Sequence, residues 1–282
     1  MTVMVSKPSP MGWVNQLAMT ARTAILQNRP LRQLLSLVLF FGIWQILSSI
    51  NFNFIINFQF LPSPLEVFRA TIKFMTGNPW VHFWSSIQRV LWGYAIAAMA
   101  GVLLGVLVGW FEVVEDLAMP PLEILRPIPA VAWIPLAILM FPNAETGMVY
   151  ITFLGAFFPI FISTIKGVES TLGDTVLIRV GQCLGANPWH IFKDIVIPGS
   201  MPSIASGLTI GMGNAWFCLV TAEILAGRYG IGYITWESYV TSNYPPIVMG
   251  MLLIGFMGAF SSWAVDRAAR ALMPWRVIKK QS

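Results

Sequence analysis

The sequence has 282 residues, of which 56% are hydrophobic and only 10% are charged, and its mean hydropathy is +0.71. Roughly a quarter of the residues of an ordinary soluble domain are charged, so this composition excludes a water-soluble globular protein. The net charge of +5 comes from basic residues at the ends of apolar runs. That placement indicates membrane topology, and we expect no nucleic acid as a partner.

Six stretches contain no Asp, Glu, Lys or Arg, and such gaps mark candidate spans because a charge at mid-bilayer costs about 2.5–3.5 kcal/mol on insertion scales. The third stretch is short and contains four prolines, so we expect it to be kinked or partly re-entrant. The pattern predicts an all-α membrane bundle of six transmembrane helices. The six stretches are 33–65, 90–111, 127–144, 146–165, 195–222 and 238–265.

The basic residues predict the orientation of the spans in a plasma or inner membrane. If the N-terminus is cytoplasmic, only four of the 17 basic residues fall on the outer side, namely Arg69, Lys73, Arg89 and Arg228. This asymmetry follows the positive-inside rule and predicts that both termini are cytoplasmic. We therefore expect a cytoplasmic segment at 1–32, a membrane domain at 33–272 and a cytoplasmic tail at 273–282.

Small residues recur every fourth position in two spans, which lets a neighbouring helix approach closely. The second span has Gly93, Ala97, Gly101, Gly105 and Gly109, and the fifth has Ser203, Gly207, Gly211 and Ala215. On the outer side, Ser63 is placed to cap a short amphipathic helix that begins at Pro64. These patterns predict tight packing and do not indicate a substrate.

The cytoplasmic stretch 179–198 has strong local signals. Gly185 is expected to end one helix, Asn187 to cap the next and Pro188 to occupy its first turn, with Pro198 ending it. The sequence therefore predicts a short helix that presents Trp189, His190 and Phe192 to a soluble partner.

This stretch resembles the "EAA" loop of permeases of binding-protein-dependent ABC importers. In that family the loop, expected here at about 166–198, supplies a coupling helix that docks on the ATP-binding subunit. Arg179-Val180-Gly181 stands where Glu-Ala-Ala is usual, which puts the usual acidic contact in doubt. The residues matched to the coupling helix are Leu184, Gly185, Ala186, Asn187, Pro188, Trp189, His190 and Phe192.

Four further motifs are similar to the nitrate, sulfonate and taurine branch of these permeases. They include Leu61-Pro62-Ser63-Pro64, Leu125-Arg126-Pro127-Ile128-Pro129, Phe158-Pro159-Ile160 and Tyr229-Gly230-Ile231-Gly232-Tyr233. The resemblance implies the type I importer architecture, a dimer of permeases, most simply a homodimer, and ATP-binding partner subunits. It also implies a periplasmic or lipid-anchored solute-binding protein and a small solute such as nitrate, bicarbonate, a sulfonate or taurine, without selecting one.

Candidate pathway residues are the few polar or aromatic groups inside apolar spans: Asn214, Trp216 and Thr152, for which ordinary interhelical bonding is the alternative. Glu223 lies near the outer end of the fifth span, and we expect it to pair with Arg228 at an outer gate, with plain solvation at the helix end as the alternative.

The sequence has no nucleotide-binding Gly-Lys-Ser or Gly-Lys-Thr loop and no histidine or carboxylate grouping suited to a metal. We therefore expect no cofactor and no enzymatic activity in this chain, with ATP hydrolysis in a partner. A secondary transporter driven by an ion gradient is the alternative, although the charge-free spans argue against ion coupling. A membrane scaffold would leave the capped cytoplasmic helix unexplained.

Overall fold

The computed structural model describes residues 29–50 and 60–275. Most of the predicted cytoplasmic segments, 1–32 and 273–282, lies outside the described residues. Every regular element in the described residues is helical, which confirms the all-α fold. The chain divides into two units, residues 1–69 and 70–282, which are described separately.

The first unit contains α1 (Arg29–Ser49) and the start of α2 (Pro64–Thr76). The stretch 33–65 predicted as one span is therefore too long, because α1 ends at Ser49. The predicted start of α2 is confirmed by a reciprocal capping pair: the Ser63 amide donates to the Glu66 carboxylate at 2.8 Å, and the Glu66 amide donates to Ser63 Oγ at 3.4 Å.

The second unit contains the remaining helices. The order is α3 (Pro79–Trp110), α4 (Glu112–Leu125), a 3₁₀ turn (Ala130–Trp133), α5 (Ile134–Met140), α6 (Ala144–Leu172), α7 (Thr175–Cys183), α8 (Pro188–His190), a π-helical segment (Ile191–Val196), α9 (Ile197–Ala226), α10 (Ile231–Val240) and α11 (Tyr244–Ala271). Five helices of the described residues are long and apolar enough to cross a membrane: α1, α3, α6, the continuous run Pro188–Ala226, and α11.

The third predicted span is part of a broken helix pair, and it makes a sixth crossing only if the bent pair is counted as one span. Helix α4 and the stretch 130–140 meet at an angle of 81°. Pro127 and Pro129 explain the break, since each lacks the amide that would continue the helical ladder. The acidic residues between Glu112 and Glu123 therefore belong to a helix, and only the seven-residue α5 and one 3₁₀ turn fall in the charge-free stretch.

Helix α6 packs between α3 and α9, and the predicted small-residue stripes form both contacts. A Cβ added at Gly105 of α3 would lie 2.6 Å from Thr164 Cβ, and one added at Gly211 of α9 would lie 2.7 Å from Ile160 Cγ1. The helix axes approach closely because these positions carry no side chain. Phe161 of α6 is completely buried at the centre of the resulting core.

Candidate functional site

The predicted break at Gly185 is confirmed, and it has the geometry of a helix C-terminus. Gly185 has a φ of +80°, a left-handed conformation that favours glycine. The Ala186 amide donates to the Gly181 carbonyl at 3.0 Å, and the Gly185 amide donates to the Gln182 carbonyl at 2.9 Å. These two bonds form a Schellman motif, so the chain leaves α7 in a fixed direction.

The predicted helix start at Pro188 is also confirmed. Asn187 Oδ1 accepts a hydrogen bond from the His190 amide at 2.9 Å, and it lies 2.8 Å from Nδ1 of the His190 ring. The side chain of Asn187 thus satisfies one of the amides that a helix N-terminus leaves free.

The prediction that Pro198 ends this helix is wrong. The helix that begins at Pro188 passes through the π-helical segment into α9 and continues to Ala226. The Ile197 amide donates to the Phe192 carbonyl, five residues earlier, and this wider turn lets the helix pass a proline that donates no amide and would crowd the regular turn. The predicted coupling segment, residues Leu184–Phe192, therefore comprises the turn before a long helix and the first residues of that helix.

The side chains of the coupling segment divide into an exposed and a packed group. Leu184 and Trp189 are 82% and 64% exposed. Phe192, predicted at the tip, is instead partly buried, with its ring centroid 4.9 Å from that of Trp110 and 5.6 Å from that of Trp189. Phe192 thus joins the exposed Trp189 to the end of α3.

A buried charge cluster lies at the opposite ends of α6 and α9. It comprises the buried residues Arg89, Glu223 and Ser86 together with Glu145, whose side chain is 62% exposed. Arg89 donates two hydrogen bonds of 2.6 Å to the Glu145 carboxylate and one of 2.7 Å to that of Glu223. The side chains of Arg89 and Glu223 are only 4% and 0% exposed. The cluster therefore ties α3, α6 and α9 together through charge-assisted bonds.

The same cluster holds the connection between α9 and α10. Glu223 accepts hydrogen bonds from Ser86 Oγ at 2.7 Å and from the Gly232 amide at 2.9 Å, and Arg89 donates to the Tyr229 carbonyl at 2.7 Å. Gly230 has a φ of +138°, and a Cβ there would collide with the Glu223 carboxylate. The predicted ion pair of Glu223 with Arg228 is thus wrong for the described residues: buried Arg89 is the partner, and Arg228 is exposed.

A cavity of about 580 Å³ lies where the broken span meets α6 and α9. Asn214, a candidate pathway residue, is exposed and is among the residues that line this cavity. Thr152 and Trp216 do not line it. The Thr152 hydroxyl donates to the Met148 carbonyl, and the Cβ and Cγ2 atoms of Thr152 pack on Gly93. Trp216 Nε1 donates to Ser261 Oγ at 2.8 Å. In this structure both form contacts between helices.

Comparison with known proteins identifies the family. Residues 97–277 match the family described as the binding-protein-dependent transport system inner membrane component. A Methanocaldococcus jannaschii protein named as an ABC transporter permease is 39% identical over 200 residues, which cover 69% of this chain and 73% of the relative. The chain belongs to the family of permeases of binding-protein-dependent ABC importers, and it is a multi-pass inner-membrane component.

Two further relatives confirm the resemblance to the nitrate, sulfonate and taurine branch. The nitrate import permease protein of Synechocystis is 30% identical, over 83% of this chain and 86% of the relative. The taurine transport system permease protein of Escherichia coli is 27% identical, over 85% of this chain and 88% of the relative. Like these permease subunits, the chain is not an enzyme, and ATP hydrolysis takes place in a separate subunit.

A solved structure shows the same fold. The inward-facing MetNI methionine ABC transporter aligns with a TM-score of 0.52 and 19% identity, over 69% of this chain and 98% of that chain. The type I importer architecture predicted from the sequence is thus confirmed. The family works with ATP-binding subunits and a solute-binding protein.

Proposed function

We propose that this chain passes a small anion of the nitrate, bicarbonate, sulfonate or taurine class from its solute-binding protein to the cytoplasm by alternating access. The names of the nitrate and taurine relatives support this solute class. Two copies of the chain pair as a homodimer, with both termini cytoplasmic and the apolar outer surface against lipid. Exposed apolar side chains on α3 and α11, such as Leu103 and Phe256, support the lipid contact.

The continuity of the helix from Pro188 to Ala226 carries this proposal. Its first residues form the exposed coupling segment, and its middle contributes Asn214 to the cavity. A movement imposed on Trp189 by an ATP-binding subunit would therefore displace α9 along the cavity wall without an intervening loop. The packing of Phe192 on Trp110 would move α3 with it.

The buried charge cluster forms the outer gate in this proposal, with Arg89 in the place first assigned to Arg228. Its position at the ends of α6 and α9 away from the coupling segment supports this role, and so does its hold on the backbone at Tyr229 and Gly232. The cluster keeps the outer ends of three helices in register while the inner ends respond to the ATPase.

The test is the ATPase activity that co-purifies with the chain. Gly185→Asp and Phe192→Glu each introduce a negative charge into the coupling segment and should abolish or uncouple the co-purifying activity. Asn78→Asp adds the same charge to an exposed position at the start of α3 and should leave the activity unchanged. No associated ATPase, together with uptake that follows an ion gradient, would overturn the proposal in favour of a secondary transporter.

A further inference from the structure

We infer that Arg126 determines the charge selectivity of the cavity and transiently binds the transported anion there. This inference rests on the proposed import function and deepens it. The sequence pattern placed Arg126 in a cytoplasmic loop, whereas the structure places it at the break between α4 and the 3₁₀ turn, in the wall of the cavity.

The central parts of two spans flank the cavity. Its lining residues from α6 run from Tyr150 to Ser163, within a helix that extends from Ala144 to Leu172. Its lining residues from α9 run from Ile210 to Cys218, in the central part of that helix. A helix of this length exceeds the hydrocarbon thickness of a bilayer, so its interior lies at membrane depth.

Among the described residues, Arg126 is the one charged residue that lines this cavity, and no carboxylate among them lines it. The nearest acid along the chain is Glu123, and within the described residues no ion pair joins the two. Arg126 is exposed, so its guanidinium is open to the cavity that it lines. A cation without an ion-pair partner in the described residues, beside a largely apolar cavity, is therefore suited to a mobile anion, which would neutralise it.

The remaining polar groups of the cavity suit the same ligand. Tyr150, Ser163 and Asn214 each have a side-chain donor, and no hydrogen bond occupies these side chains in the described part of the chain. The guanidinium can donate two parallel bonds to a planar or tetrahedral oxyanion, and a hydroxyl or amide can donate further bonds. Most of the lining is apolar, so binding stays weak enough for release.

The test measures charge selectivity inside the cavity without relying on turnover. In a background of Cys183→Ser and Cys218→Ser, the exposed lining residue is changed by Asn214→Cys in the full permease–ATPase complex. The rates of thiol modification by anionic sulfonatoethyl methanethiosulfonate and by cationic trimethylammonioethyl methanethiosulfonate are then compared. Arg126→Gln should lower the anionic-to-cationic rate ratio about tenfold, between the limits for water and for a protein surface.

Four controls sharpen the result. Arg126→Lys should retain most of the ratio, because it keeps the charge. Arg267→Gln removes a charge from an exposed position on α11 outside the cavity lining and should change nothing. Nitrate or methanesulfonate should slow modification when residue 126 is arginine and not when it is glutamine. High salt should lower the rate ratio of the protein that keeps Arg126, because ions screen the guanidinium charge. This measurement does not depend on whether a variant at residue 126 folds.

An unchanged ratio in Arg126→Gln would overturn the inference. A lower ratio without Arg126-dependent protection by nitrate or methanesulfonate would also overturn it, since a lipid phosphate or a carboxylate would then neutralise the arginine. Co-purifying ATPase activity is recorded on the same preparations. Its presence beside an unchanged ratio would defeat the role of Arg126 alone, and its absence would defeat the import function itself.

Discussion

The guanidinium of Arg89 lies 2.7 Å from the carboxylate of Glu223, a residue 134 positions further along the chain, and both side chains are almost completely buried. Such a pair contributes little net stability relative to an apolar pair, but removing one partner leaves a buried charge without compensation. The Glu223 side chain is completely buried, whereas that of Glu145, the other partner of Arg89, is 62% exposed. This difference in burial makes the pair testable.

We predict that Arg89→Ala destabilises the folded protein by about 3 kcal/mol, because it isolates the Glu223 carboxylate. Glu145→Gln should cost less than about 1 kcal/mol, because the Glu145 side chain is 62% exposed and water replaces its contacts. Thermal unfolding in detergent measures both effects. Arg89→Ala combined with Glu223→Gln should be less harmful than the sum of the two single changes, and an additive result would contradict a direct pair.

The charge cluster could not be predicted from the sequence. Spans were delimited by the absence of charge, which placed Arg89 and Glu145 outside the membrane helices, although both lie within α3 and α6. Charge-free windows find the lipid-facing lengths of helices. They cannot find charges that pair across the bundle, because the partners are distant in sequence.

Helix caps and helix breaks are easier to predict from the sequence than buried charges, because they depend on a few neighbouring residues. The cap at Asn187 and the break at Gly185 were predicted correctly, since both depend on a few adjacent positions. Pro198 does not end the helix, because the chain widens into a π-helical turn just before it, where Ile191 and Val196 pack with Val168. The cavity was not predictable either, since it forms where the break after Arg126 faces two distant helices.

The stripe on α3 gives a second prediction. Gly105→Ala should destabilise the protein by about 1–3 kcal/mol, because the added Cβ would lie 2.6 Å from Thr164 Cβ and the helices would have to separate. Gly255→Ala is the matched control in α11, where no atom in the described part of the chain lies within 4 Å of the added carbon. Equal thermal stability of the two variants would show that α3 and α6 do not depend on this close approach.

The left-handed conformation of Gly185 gives a third prediction. No atom of the described residues lies within 4 Å of a Cβ added there, so a substitution tests the backbone conformation. Gly185→Ala should destabilise the turn by about 1 kcal/mol, and Gly185→Asn should be tolerated better, because asparagine enters this conformation more readily. Substrate-stimulated ATPase activity of the complex should fall in the alanine variant and recover in the asparagine variant. Equal activity of the two would contradict a requirement for this backbone geometry in coupling.

The bond between Trp216 and Ser261 gives a final prediction, which separates packing from transport. Trp216 was a candidate pathway residue, but its indole donates at 2.8 Å to the Ser261 hydroxyl on α11, and its side chain is buried. Trp216→Phe and Ser261→Ala should each cost about 1 kcal/mol of stability, and the double variant should cost little more than either single one, since all three remove the same hydrogen bond. These variants should not change the relative uptake of nitrate and taurine in proteoliposomes. Asn214→Leu, in the cavity wall, should change it. A shift in preference caused by Ser261→Ala would instead place the contact of α9 with α11 on the solute pathway.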